Sequence, residues 1–112
     1  MKIALTIAAS DSSSGAGVQA DLAVFAEVGV YGVCALTNIT AQNSQGVQKI
    51  AKVPPRIIAA QIDSVSRDFH VDACKIGMLY FPQAVETVAE RLARREIPNV
   101  VLDPVMAAKR GE

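Results

Sequence analysis

Two rhythms of apolar residues alternate along the chain. Ile3 to Ala8 is a nearly unbroken apolar run, the pattern of a strand buried on both faces. A loop of small polar residues follows from Ser10 to Gly17. Val18, Leu22, Phe25 and Val28 then recur at helical spacing, and Gly29 supplies a stop. Tyr31 to Leu36 reads as a second strand. Thr37 to Ser44 is polar and reads as a loop, with Ile39 the one hint that the strand continues. Gly46 to Val53 alternates as a short strand until Pro54-Pro55, which suits the first turn of a helix. That helix carries Ile58, Ile62, Val65 and Phe69 on one face. Val71 to Ile76 reads as a strand, and Pro82 opens a helix with Val85, Val88, Ala89 and Leu92 as its apolar stripe. The charges at Glu86, Glu90, Arg91, Arg94, Arg95 and Glu96 read as that helix's solvated face. Pro98 ends it, and Val100 to Leu102 is the last strand, closing on Asp103-Pro104-Val105-Met106.

Strands alternating with helices predict an α/β fold, a mostly parallel sheet with helices on its faces. Right-handed crossovers put all the parallel strands' C-terminal ends on one edge. The last strand is apolar yet has nothing after it to cover its far side, so residues 1–112 read as the front portion of one larger domain. The composition narrows the function. Of the 112 residues, 51% are hydrophobic and 20% charged, which excludes a disordered class. The formal net charge of zero argues against nucleic-acid and membrane-surface partners, which demand a basic excess. No apolar run reaches the roughly 18 residues of a membrane span, and the first apolar segment reads as a strand, not a leader. Cys34 and Cys74 lie in apolar segments and read as buried free thiols of a reducing, cytoplasmic compartment. One histidine, His70, and no Cys-x-x-Cys leave no zinc site.

In open α/β sheets, ligands bind beyond the carboxyl ends of the strands. Here those ends carry Ser10 and Asp11, Thr40 to Asn43, Gly77 and Met78, and Asp103. The loop Ser12-Ser-Ser-Gly-Ala-Gly17 opens a helix, where free N–H groups favour an anion. Gly15-Ala-Gly17-Val-Gln-Ala20 fits a dinucleotide fingerprint in spacing, but its first glycine sits too far from the strand, and no acid ends the second strand to hold a ribose. Gln42 and Asn43 offer amides, each pairing a donor with an acceptor, which suits the edge of an aminopyrimidine, while spacing alone does not set them apart from ordinary loop amides. Asp21 is an acid near a helix start, which the helix dipole alone explains as well as a site does. No nucleophile-and-base arrangement is suggested by spacing.

The run Ala4-Leu-Thr-Ile-Ala-Ala-Ser-Asp-Ser-Ser-Ser-Gly-Ala-Gly-Val-Gln-Ala-Asp-Leu22 closely resembles the opening of the hydroxymethylpyrimidine/phosphomethylpyrimidine kinases. Thr40-Ala-Gln-Asn43, Lys75-Ile-Gly-Met-Leu79 and Val101-Leu-Asp-Pro-Val-Met106 match further blocks in the same order. The resemblance implies a ribokinase-like three-layer sandwich, truncated after about the fourth main strand. It implies phosphorylation, dependent on ATP and Mg²⁺, of 4-amino-5-hydroxymethyl-2-methylpyrimidine and then of its monophosphate, in thiamine biosynthesis. It implies a pyrimidine site at Ala9, Ala16, Gly17, Asp21, Gln42, Met78 and Val105, with Gln42 bonded to the aminopyrimidine and Met78 and Val105 walling the ring. A homodimer is the assembly of many family members. The family's Gly-Thr-Gly anion hole and most of its ATP site have no counterpart in these residues, so no catalytic residue is assigned and the chain alone is expected to be inactive. Ala9 and Ser14 stand where the family has Gly usually and often, respectively. The methyl at position 9 is expected to crowd the ring, and Ser14 is costly if that residue takes positive φ. A non-catalytic binding module and a dinucleotide-dependent oxidoreductase are the competing readings.

Overall fold

The structure is a computed structural model that describes residues 1–103. The elements run β1 (Ile3–Asp11), α1 (Gly17–Glu27), β2 (Tyr31–Asn43), β3 (Gly46–Lys52), α2 (Pro55–Asp68), β4 (Ala73–Ile76), α3 (Pro82–Arg94) and β5 (Val100–Leu102). They form one five-stranded sheet in the order β3-β2-β1-β4-β5. β1 pairs in parallel with β2 and β4, β4 pairs in parallel with β5, and β3 is the antiparallel edge. The chain leaves β1 towards β2 and then returns to β4 on the other side. Right-handed crossovers in opposite directions place their helices on opposite faces. Accordingly α1 lies on one face, while α2 and α3 pack side by side on the other. This is the expected three-layer α/β sandwich.

The face beneath α2 and α3 holds the core. Leu5 and Ile7 of β1 and Val33 and Ala35 of β2 share it, since Leu5 pairs with Val33 and Ile7 with Ala35. Ile58 and Ile62 of α2 and Ala84 and Val88 of α3 close over them. Burying each of the larger side chains contributes about 1.5–3 kcal/mol. Pro55 and Pro82 stand at the starts of their helices, where the missing N–H leaves no bond unmade.

Four expectations change. The polar stretch 37–43 is strand, not loop: it pairs with β3, and Thr37, Asn38 and Thr40 are buried. Threonine suits a pleated surface, and here a second strand supplies the ladder bonds. Where β2 has no outer partner, the Gln61 amide of α2 substitutes for one. It accepts from Leu36 N–H at 2.8 Å and donates to Leu36 C=O at 2.9 Å. β4 begins at Ala73, because the Asp72 carboxylate instead accepts the Ile3 N–H at 2.9 Å. Arg91 of α3 and Arg95 at its C-terminal cap turn inward to Asp63 of α2, at 3.2 and 2.9 Å, so that charged face is only partly solvated. Of the thiols, Cys74 is buried and pushed up to about 12 by desolvation, while Cys34 is half-buried and raised by the same cause. The open edge is as expected: Val100, Val101 and Leu102 are all exposed.

Candidate functional site

A cavity of about 400 Å³ opens where the strand order reverses, at the carboxyl ends of β1, β2 and β4. Its size falls within the roughly 300–1,000 Å³ of small-molecule sites. β1 contributes Ala8, Ala9 and Asp11, and β2 contributes Thr40 and Gln42. Lys75, Gly77 and Met78 come from β4 and its end, with Asp103 just past β5. Ala16, Gly17, Ala20 and Asp21 close it from α1. Among the described residues the walls are mostly small, with Met78 the one long apolar side chain, so a flat ligand has room beside the backbone.

The loop from β1 to α1 is built around Asp11. Its carboxylate accepts the Ser13 N–H at 2.8 Å, the Ser13 hydroxyl at 2.7 Å and the Ala16 N–H at 2.8 Å. Burial pushes this carboxyl up, but the hydrogen bonds from Ser13, Ala16 and Gly15 prevail and leave it below its ordinary value of 3.8. Gln19 of α1 reaches back to accept the Asp11 N–H at 2.9 Å and to donate to the Ser10 hydroxyl at 2.7 Å. Gly17 starts the helix at φ +65°, and a Cβ there would lie 2.4 Å from the Ala9 carbonyl oxygen. Only glycine lets α1 sit this close to β1. Ser14 has φ +64°, so the condition under which serine is costly is met. The sequence suggested that this loop offers free amides to an anion. Two of those amides, of Ser13 and Ala16, already belong to Asp11.

Asp21 is part of an ion-pair chain. Lys75 Nζ contacts its two oxygens at 3.1 and 2.9 Å, and the Thr6 hydroxyl donates to Oδ2 at 2.7 Å. Asp103 lies 3.7 Å from the same ammonium. Three donated bonds leave Asp21 about one lone pair for a ligand, on Oδ1. The ion pair, not the helix dipole, accounts for Asp21, which lies beyond the first turn of α1. At the mouth, Ser12 stitches the β1 loop to β2. Its hydroxyl accepts from the Gln42 N–H and donates to the Gln42 C=O, each at 2.7 Å.

Six of the seven residues expected at the site line this one cavity: Ala9, Ala16, Gly17, Asp21, Gln42 and Met78. Val105 lies outside the described residues. Lys75 was not among the expected site residues, and Thr40 was marked only as one of the polar strand-end residues. Lys75 carried a signal, since a lone charge in the apolar strand Ala73-Cys-Lys-Ile76 must find a partner when the strand is buried. Among the described residues, no group of three or more His, Cys, Asp or Glu side chains could hold a metal ion. No helix among them is long and apolar enough to cross a membrane.

Comparison with known proteins points the same way. The family model for phosphomethylpyrimidine kinase matches residues 11–112. The hydroxymethylpyrimidine/phosphomethylpyrimidine kinase of Escherichia coli (strain K12) is 53% identical over 109 residues, covering 97% of this chain and 41% of that protein. The crystal structure of phosphomethylpyrimidine kinase from Clostridium difficile 630 superposes with a TM-score of 0.92 at 43% identity, over 97% of this chain and 47% of that one. Bacillus subtilis pyridoxal kinase, solved as an ADP complex, gives a TM-score of 0.87 at 42% identity, over 96% of this chain and 41% of that one. The chain thus spans less than half the length of these relatives.

Proposed function

Because the chain belongs to the phosphomethylpyrimidine kinase family, we propose that it carries the pyrimidine-binding part of an enzyme that phosphorylates 4-amino-5-hydroxymethyl-2-methylpyrimidine and its monophosphate in thiamine biosynthesis. The observation that carries this reading is the convergence of Ala9, Ala16, Gly17, Asp21, Gln42 and Met78, from four separate elements and their ends, on one cavity at the sheet's switch point. Gln42 reads the amino edge of the ring, Met78 covers its face, and Asp21 accepts one ligand donor. Val105 is proposed as the opposite wall.

ATP supplies the phosphoryl group in this reading, and Mg²⁺ accompanies it. The residues described here do not form a metal site, and no Gly-Lys-Ser/Thr phosphate loop or Gly-Thr-Gly occurs in the sequence. Phosphoryl transfer rests on charge stabilisation around the γ-phosphate. We therefore assign these residues substrate binding and no catalytic role, and expect the 112 residues alone to bind but not to turn over. The dinucleotide reading loses support from Asp11, whose carboxylate occupies amides a diphosphate would use. Titration calorimetry with hydroxymethylpyrimidine, pyridoxal and NAD tests the proposal. Hydroxymethylpyrimidine should bind tightest, with Gln42→Ala weakening it at least tenfold. Equal binding by pyridoxal, or binding only by NAD, would refute the assignment.

A further inference from the structure

A single proton fixes which way the Gln42 amide faces. Thr40 Oγ1 lies 2.8 Å from the Ser10 carbonyl oxygen and 3.0 Å from Gln42 Oε1, two acceptors facing one hydroxyl. A hydroxyl carries one hydrogen and can serve only one acceptor well. The Ser10 carbonyl has no proton to give, and it is the nearer partner, so it takes the hydroxyl proton. The remaining contact is satisfied only if Gln42 donates. The two ends of a side-chain amide are nearly isosteric, and the hydrogen-bond network decides between them. Turning the Gln42 amide over from the orientation in the structure sets Nε2 against the lone pair of Thr40 Oγ1 and leaves Oε1 pointing away from Thr40.

Nothing nearby relaxes this choice. Thr40 is buried, so water does not supply an alternative partner. The Gln42 backbone is clamped at both its N–H and C=O by the Ser12 hydroxyl, so the residue cannot slide to another register. Thr40 and Gln42 both line the cavity.

We propose that Thr40 is a positioning residue for specificity: it holds the Gln42 amide with its carbonyl oxygen presented to the ligand. The site then favours a ring bearing an exocyclic amino group over one bearing a carbonyl at the same place. This rests on the proposed pyrimidine site but goes beyond it, since the choice between amino and oxo rings is set by Thr40 through the Gln42 amide.

The test compares 4-amino-5-hydroxymethyl-2-methylpyrimidine with its 4-oxo counterpart by calorimetry, on wild type, Thr40→Val and Thr40→Ser. Wild type and Thr40→Ser should prefer the amino ring by about tenfold or more, the usual cost of a mispaired buried hydrogen bond. Thr40→Val keeps the shape but removes the hydroxyl, and its preference should fall several-fold while overall binding persists. An unchanged preference in Thr40→Val would overturn the proposal. The amide's orientation is also readable without ligand. In ¹⁵N-resolved NMR the Gln42 Nε2 protons should show cross-peaks to Thr40 side-chain protons in wild type, and slowed exchange that Thr40→Val abolishes. Nε2 protons that exchange freely and show no such cross-peak would overturn it too. If wild type binds neither ring but the cross-peak is present, the pyrimidine assignment fails and the Thr40 clamp stands.

Discussion

Three glycines, two at the start of α1 beside the cavity and one past its far end, separate conformational strain from steric exclusion. Gly17 and Gly29 both have positive φ, at +65° and +80°, but their surroundings differ. A Cβ at Gly17 would sit 2.4 Å from the Ala9 carbonyl oxygen and 3.2 Å from the Asp11 nitrogen, whereas one at Gly29 would meet nothing within 4 Å. At Gly15 the nearest atoms are at ordinary contact distance, 3.7 Å, and φ lies outside the left-handed region. Left-handed backbone costs an alanine about 1–2 kcal/mol, partly offset by the roughly 0.4–1 kcal/mol gained from a stiffer unfolded chain. Gly29→Ala should therefore destabilise by about 1 kcal/mol. Gly17→Ala adds the overpacking term of about 1–3 kcal/mol, because backbone atoms cannot yield as a flexible side chain can. Its total is roughly 2–4 kcal/mol. Gly15→Ala should be neutral or slightly stabilising. Urea unfolding followed by far-ultraviolet circular dichroism reads all three. At a slope near ~1.5 kcal/mol/M, Gly17→Ala should lower the midpoint by about 2 M and Gly29→Ala by less than 1 M. Equal midpoints for these two variants would refute the claim that α1 is pressed onto the end of β1.

Other consequences can be measured on the same protein. Ser14→Gly should raise stability by about 1 kcal/mol, since φ +64° is left-handed and glycine adopts it freely; a lower melting temperature would contradict this. Lys75→Met should weaken pyrimidine binding and cost roughly 2–3 kcal/mol, because it strands a partly buried Asp21 carboxylate, with Asp21→Asn/Lys75→Met recovering stability; a cycle showing no coupling between the two sites would remove the ion pair from the account. Asp11, Asp63 and Asp72 are all held below the usual 3.8: Asp11 by Ser13, Ala16 and Gly15 against its burial, Asp63 first by the Arg95 hydrogen bond and Asp72 first by the Ile3 amide. A lowered folded value gives stability that is complete above the unfolded value and disappears as pH falls through the folded ones, so unfolding midpoints should be level above about pH 5 and drop below about pH 4, less steeply in Asp63→Asn.

The apolar rhythm of the chain was sufficient for the alternation of strands and helices, because burial on a sheet or helix face imposes a period that any reader of the sequence can detect. Small and polar residues at the strand ends marked where a ligand would sit, since backbone leaving a parallel sheet must be hydrated or bonded. Local pattern failed at 37–43, where polar threonine and asparagine were strand because β3 pairs with them, a non-local fact. It also failed at Asp21, whose partner Lys75 is 54 residues away. At Gly17 the sequence offered a helix start and a place at the ligand site, and tertiary contact with Ala9 O supplied the reason for glycine. Six residues that line the cavity were named by type and position in the sequence, but their mutual distances were decided by the strand order β2-β1-β4. A chain reports its near neighbours through periodicity, whereas which strand lies beside which is settled by packing across the whole sheet.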